Sequence, residues 1–425
     1  MVVPTAEKSV FTSYHFLLQL LILPVIKRFL RQSVKTGYLR VLIAKTGEEL
    51  TFGDETMKAD AVTVTIVHPV SFLLRLLFDP RMGLGEAYMA GEWSVTPSLQ
   101  AFFNLLIRNK PARKTAGGSS SLLTRVTCAL TRRLGWLTNY MFHLLRPNTI
   151  LGSRRNIREH YDLGNDMFQL FLDESMTYSC GFFNSPQDTL HKAQLNKLDE
   201  VIDKLQLKAT DHVLEIGFGW GSCAIRAVQR TGCRWTGLTI SEQQLEMAQE
   251  RVRKLGLQDR IELKFLDYRL EEAKYDKVVA IEMIEAVGHE YLPTFFATIR
   301  DRLKPGGQAC LQCITIPDSQ YDKYTKSSDF IRKHIFPGGH LPCLRVIGEC
   351  LPADLKWIKT TQHGRDYSTT LDMWNETWLA KKAEILKLGY SDVFFRKWQY
   401  YFCLCSSLFA SDYIDTIQIL LKRDQ

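Results

Sequence analysis

No segment of the 425-residue chain stays apolar for the length a bilayer requires. The strongest run, Phe16–Ile26 (FLLQLLILPVI), is interrupted by Gln19 and Pro24, and it falls far short of the ~20 residues of a spanning helix. No small-residue cleavage site follows it, and Lys27, Arg28 and Arg31 come after it rather than before, so the pattern of a secretory signal is missing. The run suits an interfacial anchor and a buried helix equally well. Cysteine is sparse: ten residues make no disulfide framework. The one C-x-x-C, Cys310 to Cys313, sits in a strand-like stretch. Alternation there sends the two sulfurs to opposite faces, which leaves structural zinc without a ligand pair and points to a reduced intracellular chain. Internal repeats are absent. Acid is missing from one long stretch, Ala101–Arg158, which holds eleven Arg and Lys and no Asp or Glu.

What is present is ordinary for a globular protein: 45% hydrophobic and 24% charged residues, which excludes wholesale disorder and a collagen-like fibre. The length suggests two or three domains. We place a terminal apolar and basic segment at residues 1–35, a small α+β domain at 36–110, a basic linker with an amphipathic helix at 111–150, and a large α/β domain at 151–425. In the small domain, Tyr38–Ala44 and Ala61–Val67 alternate like strands and Val70–Leu77 reads as a helix. In the linker, Lys114–Ser121 (KTAGGSSS) is flexible by composition, and Leu122–Leu145 carries a helical apolar stripe with Arg125, Arg132 and Arg133 off it. That helix fits an anionic lipid surface, or equally a packed linker with solvated arginines. The net charge of +8 accompanies no DNA- or RNA-binding motif, so nucleic acid is not an expected partner.

Residues 196–316 alternate helix and strand, the mark of βαβ units in a doubly wound sheet. The strongest local signal is Val213–Gly221 (VLEIGFGWG). An apolar strand delivers Glu215, then Gly217, Gly219 and Gly221, whose backbone N–H groups can approach a ligand at the start of the next helix. A bare glycine loop fits NAD, FAD or S-adenosylmethionine. The acid in E-x-G-x-G-x-G points to the last, because a carboxylate meets the ammonium of its methionine moiety. The second strand ends at Thr239 and Gln244, hydroxyl and amide where a nicotinamide site would place an acid. Asp267 and Tyr268 end the third strand as an adenine edge. Glu285, past the fourth strand, faces the reacting centre and is expected to be indispensable.

Ahead of the sheet lies His160–Phe183 (HYDLGNDMFQLFLDESMTYSCGFF), dense in aromatics, with Tyr161, Tyr178 and Cys180 as polar groups that need partners. Together with GLTISEQQ, IEAVGHEY and DYSTTLDMW, this constellation resembles the cyclopropane-fatty-acid-phospholipid synthase family, which includes the mycolic acid cyclopropane synthases and methyltransferases. The resemblance covers about residues 150–425 and reaches weakly back to Asp79–Trp93 (DPRMGLGEAYMAGEW). It implies a class I S-adenosylmethionine-dependent methyltransferase fold, a doubly wound mixed sheet beside the smaller α+β domain. It implies S-adenosylmethionine as co-substrate, with Tyr178 and Ser179 joining the residues above around it, and no metal. The implied reaction adds the methyl carbon to a cis double bond of a phospholipid acyl chain in a dry tunnel, where faces such as Tyr178, Phe182 and Phe183 tolerate a carbocation. A bound bicarbonate then removes the proton. Its cradle carries over by motif to Cys180 (through its backbone), Glu285, Ile314 (backbone) and Tyr367, with Cys405 nearby as either a pocket cysteine or a small buried hydrophobe. Where bacterial relatives read LHTI, this chain reads Leu311-Gln312-Cys313-Ile314; Gln312 keeps an N–H for an anion but carries no charge. Gln312 and the IFPGGHLP loop resemble the plant-type branch and the methyl-branching enzymes, so a fatty acyl C-methyltransferase is the near alternative. His340 in that loop reads first as a surface residue and second as a nearby proton acceptor. Expected partners are unsaturated membrane phospholipids and an anionic membrane surface, with a homodimer open, and the expected location is cytoplasmic and peripheral to a membrane.

Overall fold

The computed structural model describes residues 30–31, 34–109, 148–150, 152–153 and 164–425. The apolar run at Phe16–Ile26, the linker and its basic helix, and Tyr161 lie outside the described residues. The chain divides into two compact units, Met1–Trp136 with Asp392–Ser407, and Leu137–Ser391 with Leu408–Gln425.

The first unit holds a four-stranded sheet in the order β2-β1-β3-β4, built from β1 (Tyr38–Ile43), β2 (Glu48–Gly53), β3 (Val62–Ile66) and β4 (Trp93–Thr96). Strict alternation in VTVTI buries Val62, Val64 and Ile66 on one face. The helix expected near Val70 spans Pro69–Phe78, and the Gly-interrupted segment after it is a second helix, Pro80–Met89. Gly83 lets the two approach: a Cβ there would stand 2.3 Å from the Arg75 carbonyl oxygen. The segment Asp392–Ser407 joins this unit from the far end of the chain. Gln399 accepts from the Tyr88 hydroxyl at 2.8 Å, Ser406 accepts from Gln100 at 2.8 Å, and Tyr400 meets Phe103 edge-on at 5.0 Å. Cys405 is buried within it.

The second unit is built on a seven-stranded sheet of β5 (His212–Ile216), β6 (Arg234–Thr239), β7 (Ile261–Phe265), β8 (Tyr275–Ile281), β9 (Leu303–Thr315), β10 (Leu355–Gln362) and β11 (Asp415–Arg423). The order is β10-β11-β9-β8-β5-β6-β7; β7, β6, β5, β8 and β9 run parallel, and β11 pairs antiparallel with β9 and β10. This is the doubly wound mixed sheet expected from the sequence. Both faces are covered, which is why its strands read as nearly continuous apolar runs. Leu214, Val278, Ala309 and Cys313 pack on one face, and Val213, Val279, Cys310 and Trp235 on the other, each large aliphatic contributing about 1.5–3 kcal/mol. Cys310 and Cys313 thus do point opposite ways. The strand order reverses between β5 and β8, where their carboxyl ends splay and open a crevice.

Candidate active site

Four structural features converge on that crevice, whose free space, open mouth included, is ≈ 1170 Å³. The first is the glycine loop. Gly217, Gly219 and Gly221 have φ of +80°, +55° and +85°, a region in which side chains with a Cβ are strained. Gly221 also lets the helix Ser222–Thr231 pass close to its neighbour, since a Cβ there would lie 3.3 Å from that of Ala248. Just before the loop, Glu215 is buried at the end of β5 and accepts from the Trp235 indole at 2.9 Å. Burial pushes its carboxyl up to about 8.

The second and third features are the ends of β6 and β7. Thr239 donates to Gln244 Oε1 at 3.1 Å, which turns the Gln244 amide by a side-chain contact; both residues line the crevice. Asp267 and Tyr268 line it too, but the Asp267 carboxylate is already held in a fork by Arg269, with Oδ1 and Oδ2 at 2.8 and 2.7 Å. Tyr268 is buried edge-on against Phe295.

The fourth is the aromatic segment before the sheet. Tyr178 lies 5.2 Å from Trp374 and 5.3 Å from Phe168, and stacks with Phe336. Phe182 faces elsewhere, lying flat on His363 at 3.5 Å, so it takes no place in the wall around Tyr178 that the sequence suggested. Ser179 accepts from Lys197 Nζ at 2.6 Å. Lys197, fully buried on the helix Leu190–Leu205 and lining the crevice, was missed in the sequence because a lysine in an amphipathic helix reads as solvated. Burial lowers its pKa, and Glu282 counters most strongly.

The expected cradle residues do come together, around a residue the sequence reading passed over. Glu282 follows β8 and lines the crevice. Its Oε1 accepts from the Cys180 backbone N–H at 2.9 Å and from Gln312 Nε2 at 2.8 Å; its Oε2 accepts from the Tyr367 hydroxyl at 2.7 Å. Glu285 stands apart from these three donors: its Oε1 accepts from the Ile314 N–H at 2.5 Å, and its buried Oε2 has no partner. Burial, then the charge of Glu282, pushes Glu285 up to about 8. Burial also raises Glu282, but its three donors and Lys197 pull the other way. Hydrogen bonds to the charged form favour ionisation, so the rise that burial imposes meets three donors and Lys197 at Glu282 but a single side-chain acceptor contact, from the Ile314 N–H, at Glu285. The Cys180 thiol is buried and its pKa is raised well above the ordinary thiol range, so Cys180 acts through its backbone.

Gln312 is oriented from behind. Lys204 Nζ donates to Gln418 Oε1 at 2.6 Å, Gln418 Nε2 donates to Gln312 Oε1 at 3.0 Å, and Gln312 Nε2 is left for Glu282. A lysine only donates, so it fixes the direction of both amides. His340 is buried, against its surface reading. Arg332 donates to its Nδ1 at 3.1 Å, Tyr321 bridges it to His289, and its N–H donates to the Glu285 carbonyl.

The sheet order and the crevice at its switch point define a class I methyltransferase fold. The chain belongs to the mycolic acid cyclopropane synthetase family, whose model matches residues 151–419. It is an enzyme of the methyltransferase class. The cyclopropane-fatty-acyl-phospholipid synthase of Escherichia coli K12 is 35% identical over 352 residues, 83% of this chain and 86% of its own. The tuberculostearic acid methyltransferase of Mycobacterium tuberculosis is 34% identical over 394 residues, 88% of this chain and 86% of its own. Among solved structures, the cyclopropane synthase MmaA2 from Mycobacterium tuberculosis matches with a TM-score of 0.60 at 29% identity, over 64% of this chain and 98% of its own. Coclaurine N-methyltransferase reaches 0.59 at 17% identity over 80% of this chain and 99% of its own, a likeness of fold alone.

Proposed function

We propose that the enzyme transfers one carbon from S-adenosylmethionine to the cis double bond of an unsaturated phospholipid acyl chain and closes a cyclopropane ring. The supporting observation is that the glycine-lined crevice runs without interruption from Glu215 to Glu282 past Tyr178, so a methyl donor and an anionic base share one cavity with an aromatic wall. When bound, S-adenosylmethionine supplies a methyl group as an electrophile. Glu215 and the loop amides suit its methionine end: a buried carboxyl near 8 gains a cation and ionises. Thr239 and Gln244 suit a ribose, and Tyr268 an adenine face. Asp267, tied to Arg269, holds the loop rather than offering a free carboxylate. Tyr178, backed by Trp374 and Phe336, presents a π face to the crevice that stabilises a carbocation by about 0.5–2 kcal/mol.

A bicarbonate base does not fit these residues. The Cys180 N–H, the Gln312 amide and the Tyr367 hydroxyl already donate to Glu282, and the Ile314 N–H to Glu285. A further anion would face two carboxyl groups and no vacant donor among those four.

A second reading, a fatty acyl C-methyltransferase giving a methylene- or methyl-branched chain, is supported by the relative named tuberculostearic acid methyltransferase, which spans 88% of this chain. Incubation with the methyl donor and monounsaturated phospholipid vesicles separates the two. Both ring and methylene products add CH2, so proton NMR must be read beside mass: upfield ring protons support the first reading and vinyl protons the second. Lipid that gains no carbon refutes both. Among the described residues no helix is long and apolar enough to cross a membrane. We assign the basic stretch Ala101–Arg158 to an anionic membrane surface at the cytoplasmic side. Arg132→Glu with Arg133→Glu then weakens binding to anionic vesicles by about thirtyfold or more, at ~1 kcal/mol for each basic residue near the surface.

A further inference from the structure

We propose that the Glu282 carboxylate is the general base of this enzyme, a built-in replacement for a diffusible anion. The inference rests on the reading above that a one-carbon unit is added to an alkene, and it concerns who takes the proton.

Three observations carry it. Glu282 engages the very groups that an anion in this cradle would need, the backbone N–H of Cys180, the Gln312 amide and the Tyr367 hydroxyl, at 2.9, 2.8 and 2.7 Å. It is also the acid of this cluster that lines the crevice, beside Tyr178 and Lys197. Finally, its backbone is held at φ +49°, a conformation that costs a side-chain-bearing residue energy and persists where the surroundings over-determine it, commonly at active sites. A glycine would sit there freely, and would leave the three donors without an acceptor.

The lone pairs identify the accepting atom. Each carboxylate oxygen offers about two acceptor sites. Oε1 already receives two hydrogen bonds, whereas Oε2 receives one, from Tyr367. Oε2 therefore has the open site. The electrons balance as follows. The methyl–sulfur bond breaks with its pair going to sulfur, which leaves as a neutral thioether. The alkene π pair forms the bond to the methyl carbon, and the adjacent chain carbon becomes a cation. Glu282 Oε2 takes a proton from the new methyl, and the released C–H pair closes the third side of the ring. After a hydride shift along the chain, the same proton transfer gives a methylene branch instead, with no external reductant. Glu282 leaves the step as a carboxylic acid and returns the proton to water through the crevice mouth.

The test compares the wild type with Glu282→Gln and Glu282→Gly in CO2-depleted buffer, with and without added bicarbonate. Wild-type turnover on monounsaturated phospholipid vesicles is expected to be the same in both. Glu282→Gln should lose about 10²–10⁴-fold, the ordinary contribution of a general base, and bicarbonate should not rescue it. Glu282→Gly opens the seat, so bicarbonate should raise its turnover at least tenfold. A second readout needs no activity: bicarbonate should raise the thermal midpoint of Glu282→Gly and leave the wild type unmoved, because only a protein that binds the ion is stabilised by it. Unaltered binding of the methyl donor by calorimetry certifies that each variant is folded. Wild-type turnover that collapses without bicarbonate, or a wild-type midpoint that rises with it, overturns the proposal while leaving the substrate reading intact. Wild-type enzyme that adds no carbon to lipid in either buffer overturns the substrate reading and this inference with it.

Discussion

Glu215 and Glu282 end neighbouring strands of one sheet and line one crevice, yet the protein surrounds the two carboxyls differently. Glu215 accepts from the Trp235 indole and is otherwise set among apolar walls, so burial prevails and it titrates near 8. Burial raises Glu282 too, but it gathers three donors and the nearby Lys197, which pull the other way. The difference teaches that two acids at the same crevice can share the upward push of burial and yet differ in how many donors oppose it. Glu215 waits neutral for a cation to arrive; Glu282 has its hydrogen-bond donors in place before any substrate is present.

The hardest blow to that contrast is Glu282→Gln, with its turnover loss of about 10²–10⁴-fold. Next comes Glu215→Gln. At pH 7 a carboxyl near 8 is mostly protonated, so capture of an ammonium group releases close to one proton. Titration calorimetry of the wild type in two buffers of different ionisation enthalpy should register that proton, and Glu215→Gln should not. Affinity for the methyl donor should fall about tenfold to a hundredfold, the worth of a hydrogen bond to a charged group at roughly 1.5–3 kcal/mol. A wild-type titration without proton release would mean that Glu215 is ionised beforehand and would erase the contrast.

A smaller effect is expected behind the cradle. Gln418→Leu removes the link between Lys204 and Gln312, after which the Gln312 amide is free to turn its oxygen toward Glu282. Losing one neutral hydrogen bond costs about 1 kcal/mol, about fivefold, and it should appear in kcat with KM unchanged. A fall in KM alone would make Gln418 a purely structural residue.

These residues differ in how legible they were. Glu215 and the three glycines lie in one nine-residue segment, Val213–Gly221, whose local pattern carries its own meaning, and the alternation around it announced the parallel sheet. Cys180, Gln312 and Tyr367 were found by motif and do converge, while Ile314 meets Glu285. What they converge on was not seen, although Glu282 stands three residues before Glu285 in the same strand end. A pair of acids there does not say which one the donors will choose, because the three donors come from three separate segments. The Lys204–Gln418–Gln312 chain joins a helix to two strands and leaves no local signature. The same holds for Asp392–Ser407, whose aromatic stripe gave no sign that it belongs with the N-terminal sheet, and for His340, buried by Tyr321 and Arg332 in a loop of turn residues.

Glu285→Gln sharpens the comparison most finely, because it should change turnover least. A neutral carboxyl and an amide are nearly isosteric, and the Ile314 N–H can donate to either, so kcat should stay within about threefold, the scale of a hydrogen bond weakened by ~0.5 kcal/mol. That contradicts the expectation that Glu285 is indispensable, and a loss as large as that of Glu282→Gln would reinstate it. Stability should respond instead. The Glu285 carboxyl titrates near 8 in the folded protein against an ordinary 4.5. Between those values the unfolded chain has released the proton while the folded chain keeps it, so each step up in pH favours unfolding. The contribution is therefore present in full below about pH 4.5 and is lost as pH rises toward 8. The thermal midpoint of the wild type should fall across that window, and Glu285→Gln should flatten the fall without abolishing it, because Glu215, also near 8, titrates with the same sign. A midpoint profile identical to the wild type would mean that Glu285 is ionised in the fold.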